Sequence, residues 1–284
     1  MRSKISTPEH FSFRHTVSGH GWSDLLPFVL SDDGSRLNYV LNGIELVVRE
    51  KDGSIVVEAD GDSLDRKEIK AAVRLMFRLD DDLNEFYELM DTVGSYKWMR
   101  GSGVGRLLRA ATVYEDLIKT LCTTNCSWSL TKIMVSNLVE KLGEASSNGP
   151  KAFPTADAMA AKGEDFYRNE IKAGYRSPYF VEIAKAVAAG KIDPQSWFDP
   201  QRPTDDLKKE IKSIKGVGDY AAEHMLKLLG RYDGLALDSW VRGEFYKKYN
   251  KERACADSRI YKHYKKFGRW KGLAVWCDMT ERWF

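Results

Sequence analysis

The chain reads as an α+β fold, with a small N-terminal antiparallel β-sheet packed on a large all-helical body. Three features carry that expectation. Residues 36–60, RLNYVLNGIELVVREKDGSIVVEAD, alternate short β-rich runs with Asn-Gly and Asp-Gly pairs, the pairs favoured by two-residue hairpin turns. From about residue 65 apolar residues recur at helical spacing nearly to the end. No repeat, low-complexity tract or long linker separates independent modules. The expected division is a sheet domain over 1–76 and a helical domain over 77–284.

Upstream of the hairpins, FSFRHTVSGHGWSDLLPF (11–28) is aromatic and is a candidate start of the same layer. Within it, His20 and Trp22 are expected to pack against the sheet rather than reach a pocket. Helical patterns break at GSGVG (101–105), SSNGPKAFPT (146–155) and DPQSWFDPQRPT (193–204), where glycine, proline and small polar residues punctuate the chain.

At 284 residues with 43% hydrophobic and 30% charged side chains, the chain is long enough for one large or two modest domains, each with its own core. No apolar run approaches the roughly 18–20 residues of a membrane helix, and MRSKISTPEH lacks a signal-peptide core. An intracellular monomer is expected, in cytoplasm or nucleoid, or in a nucleus. Cys122, Cys126, Cys255 and Cys277 form no CxxC and no zinc or iron–sulfur spacing, and the five histidines are scattered, so no metal or cofactor is expected. The net charge of +3 hides an asymmetry: residues 1–90 carry 11 basic against 17 acidic side chains, whereas 240–271 carry 11 against 3. That pattern suits one-sided binding of a polyanion; a solvated lysine-rich face accounts for it equally.

The densest information lies in 207–245, LKKEIKSIKGVGDYAAEHMLKLLGRYDGLALDSWVRGEF. Leu207, Ile211 and Ile214, then Ala222, Met225, Leu226 and Leu229, keep helical spacing on either side of a turn. The expected motif is a helix-hairpin-helix over about 204–230. Gly216 and Gly218 let the backbone turn tightly with its amides bare. The helix starting near Asp219 adds unpaired amides with partial positive charge, an arrangement suited to a phosphate. Asp238 follows Gly218 by twenty residues, just before another helical pattern. It is a candidate catalytic carboxylate and, preceding Ser-Trp-Val-Arg, equally a candidate helix N-cap.

This stretch resembles the helix-hairpin-helix DNA glycosylase superfamily, whose hairpin reads approximately Leu-Pro-Gly-Val/Ile-Gly with a catalytic aspartate about twenty residues later. Here the hairpin is Ile214-Lys215-Gly216-Val217-Gly218, with Lys215 in place of proline. The resemblance to the 8-oxoguanine glycosylase branch runs in register from about Phe77 to Met279, through FRLDDDLNEFYELM (77–90), the helix pair of 103–143, and GYR (174–176). It implies a base-excision repair enzyme that flips a damaged base out of duplex DNA and hydrolyses its N-glycosidic bond. Lys215 to Gly218 would then grip the backbone, and Asn125 and Arg176 would enter the stack and meet the base opposite. Taken singly, Asn125 is also a helix cap and Arg176 also a surface salt bridge.

In the same resemblance, Asp238 would stabilise positive charge developing on the sugar and orient water. Bifunctional members place a Schiff-base lysine two residues past the second hairpin glycine. Tyr220 stands there, as an aromatic does in bacterial 3-methyladenine glycosylase II, which implies a monofunctional enzyme without strand cleavage. In FGRWKGLAVWCDM (267–279), the family's base-reading Gln and Phe become Val275 and Met279. A pocket of Tyr220, Trp240, Val275, Trp276 and Met279 would stack on a base more than hydrogen-bond to it, and alkylated or otherwise modified purines suit it. Two alternatives stand beside this reading: an oxidised-purine glycosylase, and a non-catalytic lesion-binding protein with the same hairpin.

Overall fold

The structure, a computed structural model, describes residues 1–60 and 65–283. Five strands, β1 (Arg2–Ser6), β2 (Val29–Leu30), β3 (Arg36–Leu41), β4 (Ile44–Lys51) and β5 (Ser54–Ala59), form one sheet in the order β1-β5-β4-β3-β2. Every pairing is antiparallel. Both hairpin turns lie where the Asn-Gly and Asp-Gly pairs predict, with positive φ at Asn42 (48°), Gly43 (74°), Asp52 (50°) and Gly53 (63°). Two successive left-handed residues match the twist of the flanking strands. Alternation then sends Leu37, Tyr39, Leu46, Val48, Ile55 and Val57 into the core.

The aromatic segment departs from expectation. It does not begin the sheet; β1 lies upstream of it and pairs with β5. The segment itself forms α1 (Phe13–Val17), whose cap Ser12 accepts from the His15 amide, and a 3-10 turn at Trp22–Asp24.

The helical body comprises α2 (Arg66–Met76), α3 (Asn84–Asp91), α4 (Trp98–Ser102), α5 (Val113–Thr123), α6 (Trp128–Leu142), α7 (Ala156–Ala160), α8 (Glu164–Asn169), α9 (Ser177–Ala188), α10 (Thr204–Ser213), α11 (Asp219–Leu228), α12 (Ser239–Tyr249), α13 (Asp257–Tyr264) and α14 (Lys271–Thr280). Side chains of Thr112, Ser127 and Thr155 cap α5, α6 and α7, which satisfies amides that a helix start leaves bare.

Apolar packing divides the chain elsewhere than at 76/77. One core joins the sheet to α2, α5, α6 and α9–α11, through residues such as Leu46, Ile69, Leu117, Phe180 and Met225. A second joins α3 and α4 to α12–α14, through Phe86, Met99, Phe245, Tyr264 and Leu273. Half-buried Trp276 packs against both. The cleft described below lies where the two meet.

Charged side chains bolt the sheet layer to α5. The Trp22 indole donates to Asp116 at 2.8 Å, and Arg109 pairs with the same carboxylate at 3.2 Å. The Tyr39 hydroxyl donates to Glu115 at 2.6 Å, which also pairs with Lys119 at 2.6 Å. All four ion-pair members are essentially buried, so each needs its partner in place.

Candidate active site

The site begins at the turn between α10 and α11. Gly216 has φ +91°, and a Cβ there would sit 2.4 Å from the Tyr179 ring, so no other residue fits. Val217 is buried and pins the turn to the first core. Gly218 precedes α11 in extended backbone (φ −88°, ψ −174°), and nothing lies within 4 Å of where its Cβ would be. Its exposed face therefore leaves the amides open to an approaching anion.

The two glycines should separate experimentally. Gly216→Ala is expected to destabilise the protein by about 1–3 kcal/mol through backbone strain and the Tyr179 clash. Gly218→Ala should leave unfolding within about 0.5 kcal/mol of wild type and, if the turn grips a DNA backbone as the resemblance implies, weaken binding to every DNA sequence alike. Chemical denaturation and fluorescence anisotropy on two unrelated duplexes check this pair.

Beside the turn lies a cleft of about 790 Å³ lined by Asn125, Tyr175, Gly216, Gly218, Tyr220 and Asp238, among others. Asp238 is the N-cap of α12, and one of its oxygens accepts from the Val241 amide at 2.7 Å. Capping occupies that oxygen and leaves the other for the cleft. The loop before Asp238 is braced from both sides. Glu223 of α11 accepts from the Ala236 amide at 2.8 Å and pairs with Lys208 at 2.7 Å. Arg242 donates to the Leu237 carbonyl at 3.1 Å while its fork grips Asp257 at 2.8 Å.

Across the cleft, Asn125 sits exposed at the α5–α6 turn with φ +46°, and its amide donates to the Tyr175 hydroxyl at 3.3 Å.

No family profile matches the chain. By sequence it is similar to the N-glycosylase/DNA lyase of Saccharomyces cerevisiae, 21% identical over 204 residues, covering 67% of this chain and 54% of that protein. It is also similar to a probable N-glycosylase/DNA lyase of Methanothermobacter thermautotrophicus, 23% identical, covering 62% and 63%. A DNA-3-methyladenine glycosylase of Bacillus subtilis is 23% identical, covering 66% and 61%. The chain thus spans between 54% and 63% of the length of these curated relatives.

Solved structures match over nearly the whole chain. MBOgg1 bound to a low-affinity DNA ligand gives a TM-score of 0.77 at 18% identity, covering 100% of this chain and 96% of that one. The apo 8-oxoguanine glycosylase/lyase of Clostridium acetobutylicum gives 0.77 at 19%, covering 98% and 95%. The 3-methyladenine DNA glycosylase of Archaeoglobus fulgidus gives 0.74 at 19%, covering 100% and 99%. The fold is that of the helix-hairpin-helix DNA glycosylases.

Within this glycosylase fold, the expected site residues separate. Asp238, Gly216, Gly218, Asn125 and Tyr220 share the one cleft. Lys215 does not lie free at the turn: its ammonium pairs with Glu182 of α9 at 2.7 Å, both side chains being exposed. Arg176 requires correction. Its side chain is buried, with the guanidinium donating to the Leu121 carbonyl and the Thr124 hydroxyl, each at 3.2 Å, and to the Thr124 carbonyl. It holds the Asn125 turn in shape and is not among the residues that line the cleft; nor is it the surface salt bridge that the sequence alternatively allows. The neighbouring Tyr175, half-exposed and with the Arg176 guanidinium over its ring at 4.5 Å, takes the position at the cleft.

The expected base pocket also divides. Val275 and Met279 are buried in the second core and do not line the cleft, because the α14 face carrying Gly272, Val275 and Met279 is pressed inward. The Gly272 amide donates to the Tyr232 carbonyl at 2.7 Å, and a Cβ on Gly272 would lie 2.0 Å from the Gly234 carbonyl. Trp276 turns the other way and donates to the Gly19 carbonyl at 2.7 Å. Trp240 packs against it at 5.6 Å and against Trp283 at 5.1 Å.

Residues that sequence reasoning passed over are Tyr175, Glu223, His224 and Lys227. The last two had a readable signal, lying four and seven positions past Tyr220 on one face of α11. Trp22 is buried in the core shared with the sheet, whereas His20 packs on the Trp22 ring and hydrogen-bonds the Leu108 carbonyl; both reach His224, at 5.2 Å from Trp22 and 6.1 Å from His20.

Burial pushes His20 down from 6.5 to about 3 and His224 well below the ordinary imidazole range. The unfolded chain therefore takes up protons below about 6.5 that the native state refuses. Stability is complete above that pH and falls as pH drops towards 3. His20 is expected to cost the fold about 1.4 kcal/mol per pH unit in that window, and His224 adds to the loss in the same direction. Urea unfolding at pH 7.5 and 5.5 should show His224→Leu losing distinctly less stability than wild type.

Proposed function

We propose that the protein is a DNA glycosylase of base-excision repair, acting on duplex DNA and flipping out a modified purine to hydrolyse its bond to deoxyribose. The observation that carries this reading is the placing of Asp238 in the same cleft as the bare glycine turn. A phosphate held at Gly216–Gly218 would set the sugar of a neighbouring everted nucleotide beside that carboxylate. As the glycosidic bond breaks, positive charge grows on the sugar; Asp238 stabilises it and orients the attacking water. Asn125, propped by Tyr175 and by Arg176 beneath, fills the gap left in the stack.

The reaction is hydrolytic in this reading, since Tyr220 occupies the helix position where an amine nucleophile would act. The test is a panel of duplexes carrying alkylated, deaminated and oxidised purines, assayed for released base before and after alkali. Release with strand breaks only after alkali supports a monofunctional glycosylase. Borohydride should trap no covalent adduct, and a lysine-dependent adduct in good yield would overturn the hydrolytic assignment.

A further inference from the structure

Behind Tyr220 the cleft-facing side of α11 continues inward through His224 and Lys227, and these groups are not disposed like ordinary core residues. The His20 Nε2 hydrogen-bonds the Leu108 carbonyl. A carbonyl can only accept, so Nε2 carries the proton and, in a ring kept neutral by burial, Nδ1 is a bare acceptor. That Nδ1 has no partner, and neither does Nε2 of His224. The residues are 6% and 7% exposed, so both orphaned nitrogens are shut off from bulk water. Unpartnered buried polar atoms are costly and uncommon in native proteins, and here two occur on neighbouring rings whose centroids lie 6.1 Å apart.

The Tyr220 ring stacks on His224 at 5.9 Å, which ties the pair to the cleft that holds Asp238. One turn deeper, the ammonium of Lys227, 1% exposed, lies over the Trp276 ring at 5.1 Å. It donates to the Leu235 carbonyl at 3.3 Å, which leaves further N–H donors unspent.

We infer that His20, His224 and Lys227 form the edge-reading floor of the base site, and that the base it takes is an uncharged purine presenting a ring N–H beside a carbonyl. This rests on the glycosylase reading above and narrows its substrate. The N–H would donate to His20 Nδ1, and the carbonyl would accept from Lys227, as in hypoxanthine or 8-oxoguanine. A cationic N-alkylpurine is disfavoured on two counts: the ammonium already holds a face of Trp276, and a second positive charge would be buried beside it. The alkylated purines suggested by an aromatic pocket are therefore the poorer substrates.

The experiment compares wild type, His224→Leu, His20→Gln and Lys227→Met on duplexes carrying hypoxanthine, 8-oxoguanine or cationic 3-methyladenine, which has no ring N–H beside a carbonyl. Thermal unfolding and affinity for a tetrahydrofuran abasic analogue are measured in parallel. Leucine removes an orphaned polar atom, so His224→Leu should fold at least as stably as wild type and bind the abasic analogue equally well. It should lose ten-fold or more in kcat/KM on the better of the two neutral lesions, with less than three-fold change on 3-methyladenine. Lys227→Met should shift the neutral-to-cationic ratio ten-fold or more towards 3-methyladenine. His20→Gln should lower neutral-lesion excision selectively, so the assignment does not depend on one variant. Equal loss on all three lesions, no loss on any, or a wild-type preference for 3-methyladenine would overturn the inference while the glycosylase reading stands. Release of no base by wild type would overturn the reading itself and the inference with it.

Discussion

Asp238→Asn is expected to lower base release by about 10²-fold or more, the scale on which losing a positioned charge stabiliser slows a reaction. The substitution isolates chemistry from folding. Asparagine caps a helix as well as aspartate does, so the acceptor for the Val241 amide at 2.7 Å survives, and unfolding should move by no more than about 0.5 kcal/mol. Affinity for an abasic-analogue duplex should persist, because the glycine turn and Asn125 are untouched. Single-turnover release of base, read beside that affinity, makes the check. A protein that only senses lesions would show no activity to lose, and undiminished release from the variant would remove Asp238 from the reaction.

The largest loss of stability is expected at Asp278, far from any proposed chemistry. Its buried carboxylate accepts from the hydroxyls of Tyr96 at 3.0 Å, Tyr249 at 2.8 Å and Tyr264, and pairs with Lys248 at 2.7 Å. One acidic group thereby ties α14 to α12, α13 and the turn at 94–96. Asp278→Ala would strip three phenols of their shared acceptor and leave the Lys248 ammonium only Glu281 and the 278 carbonyl, a cost of about 3–5 kcal/mol. Denaturant unfolding measures it directly. Base release measured below the new unfolding midpoint should fall as well, because α14 carries Trp276.

What was legible in the sequence was local. Asn42-Gly43 and Asp52-Gly53 fix two hairpins because their backbone needs are peculiar to those residues. The helix-hairpin-helix was visible because two glycines interrupt two apolar periodicities. β1 was not visible: as an edge strand it buries only Ser3 and Ile5, too little alternation to read. The aromatic segment looked like a strand because Phe and Trp favour sheets, yet the Ser12 cap and tertiary packing on α11 decide it.

At the site, Asp238 and Tyr220 could be placed by spacing from the turn, since each sits at an element boundary or on its first exposed face, and Asn125 only by the resemblance of 103–143. Arg176, Val275 and Met279 could not. The fate of each depends on which distant segment covers it, such as the carbonyls of 121 and 124 over Arg176. Burial of His224 and Lys227 is hidden for the same reason, because polar residues in a helix read as solvated until something packs on them.

The carboxylate and the glycine turn belong to different packed bodies, α12 to one and α11 to the other, and the strut between them is Glu223, which ties the Ala236 amide to α11. In the proposed reaction, grip and cleavage would thereby be mechanically separable. Slackening that strut would let the acid drift from the sugar while the phosphate stayed clamped, giving a protein that stalls on damage instead of repairing it.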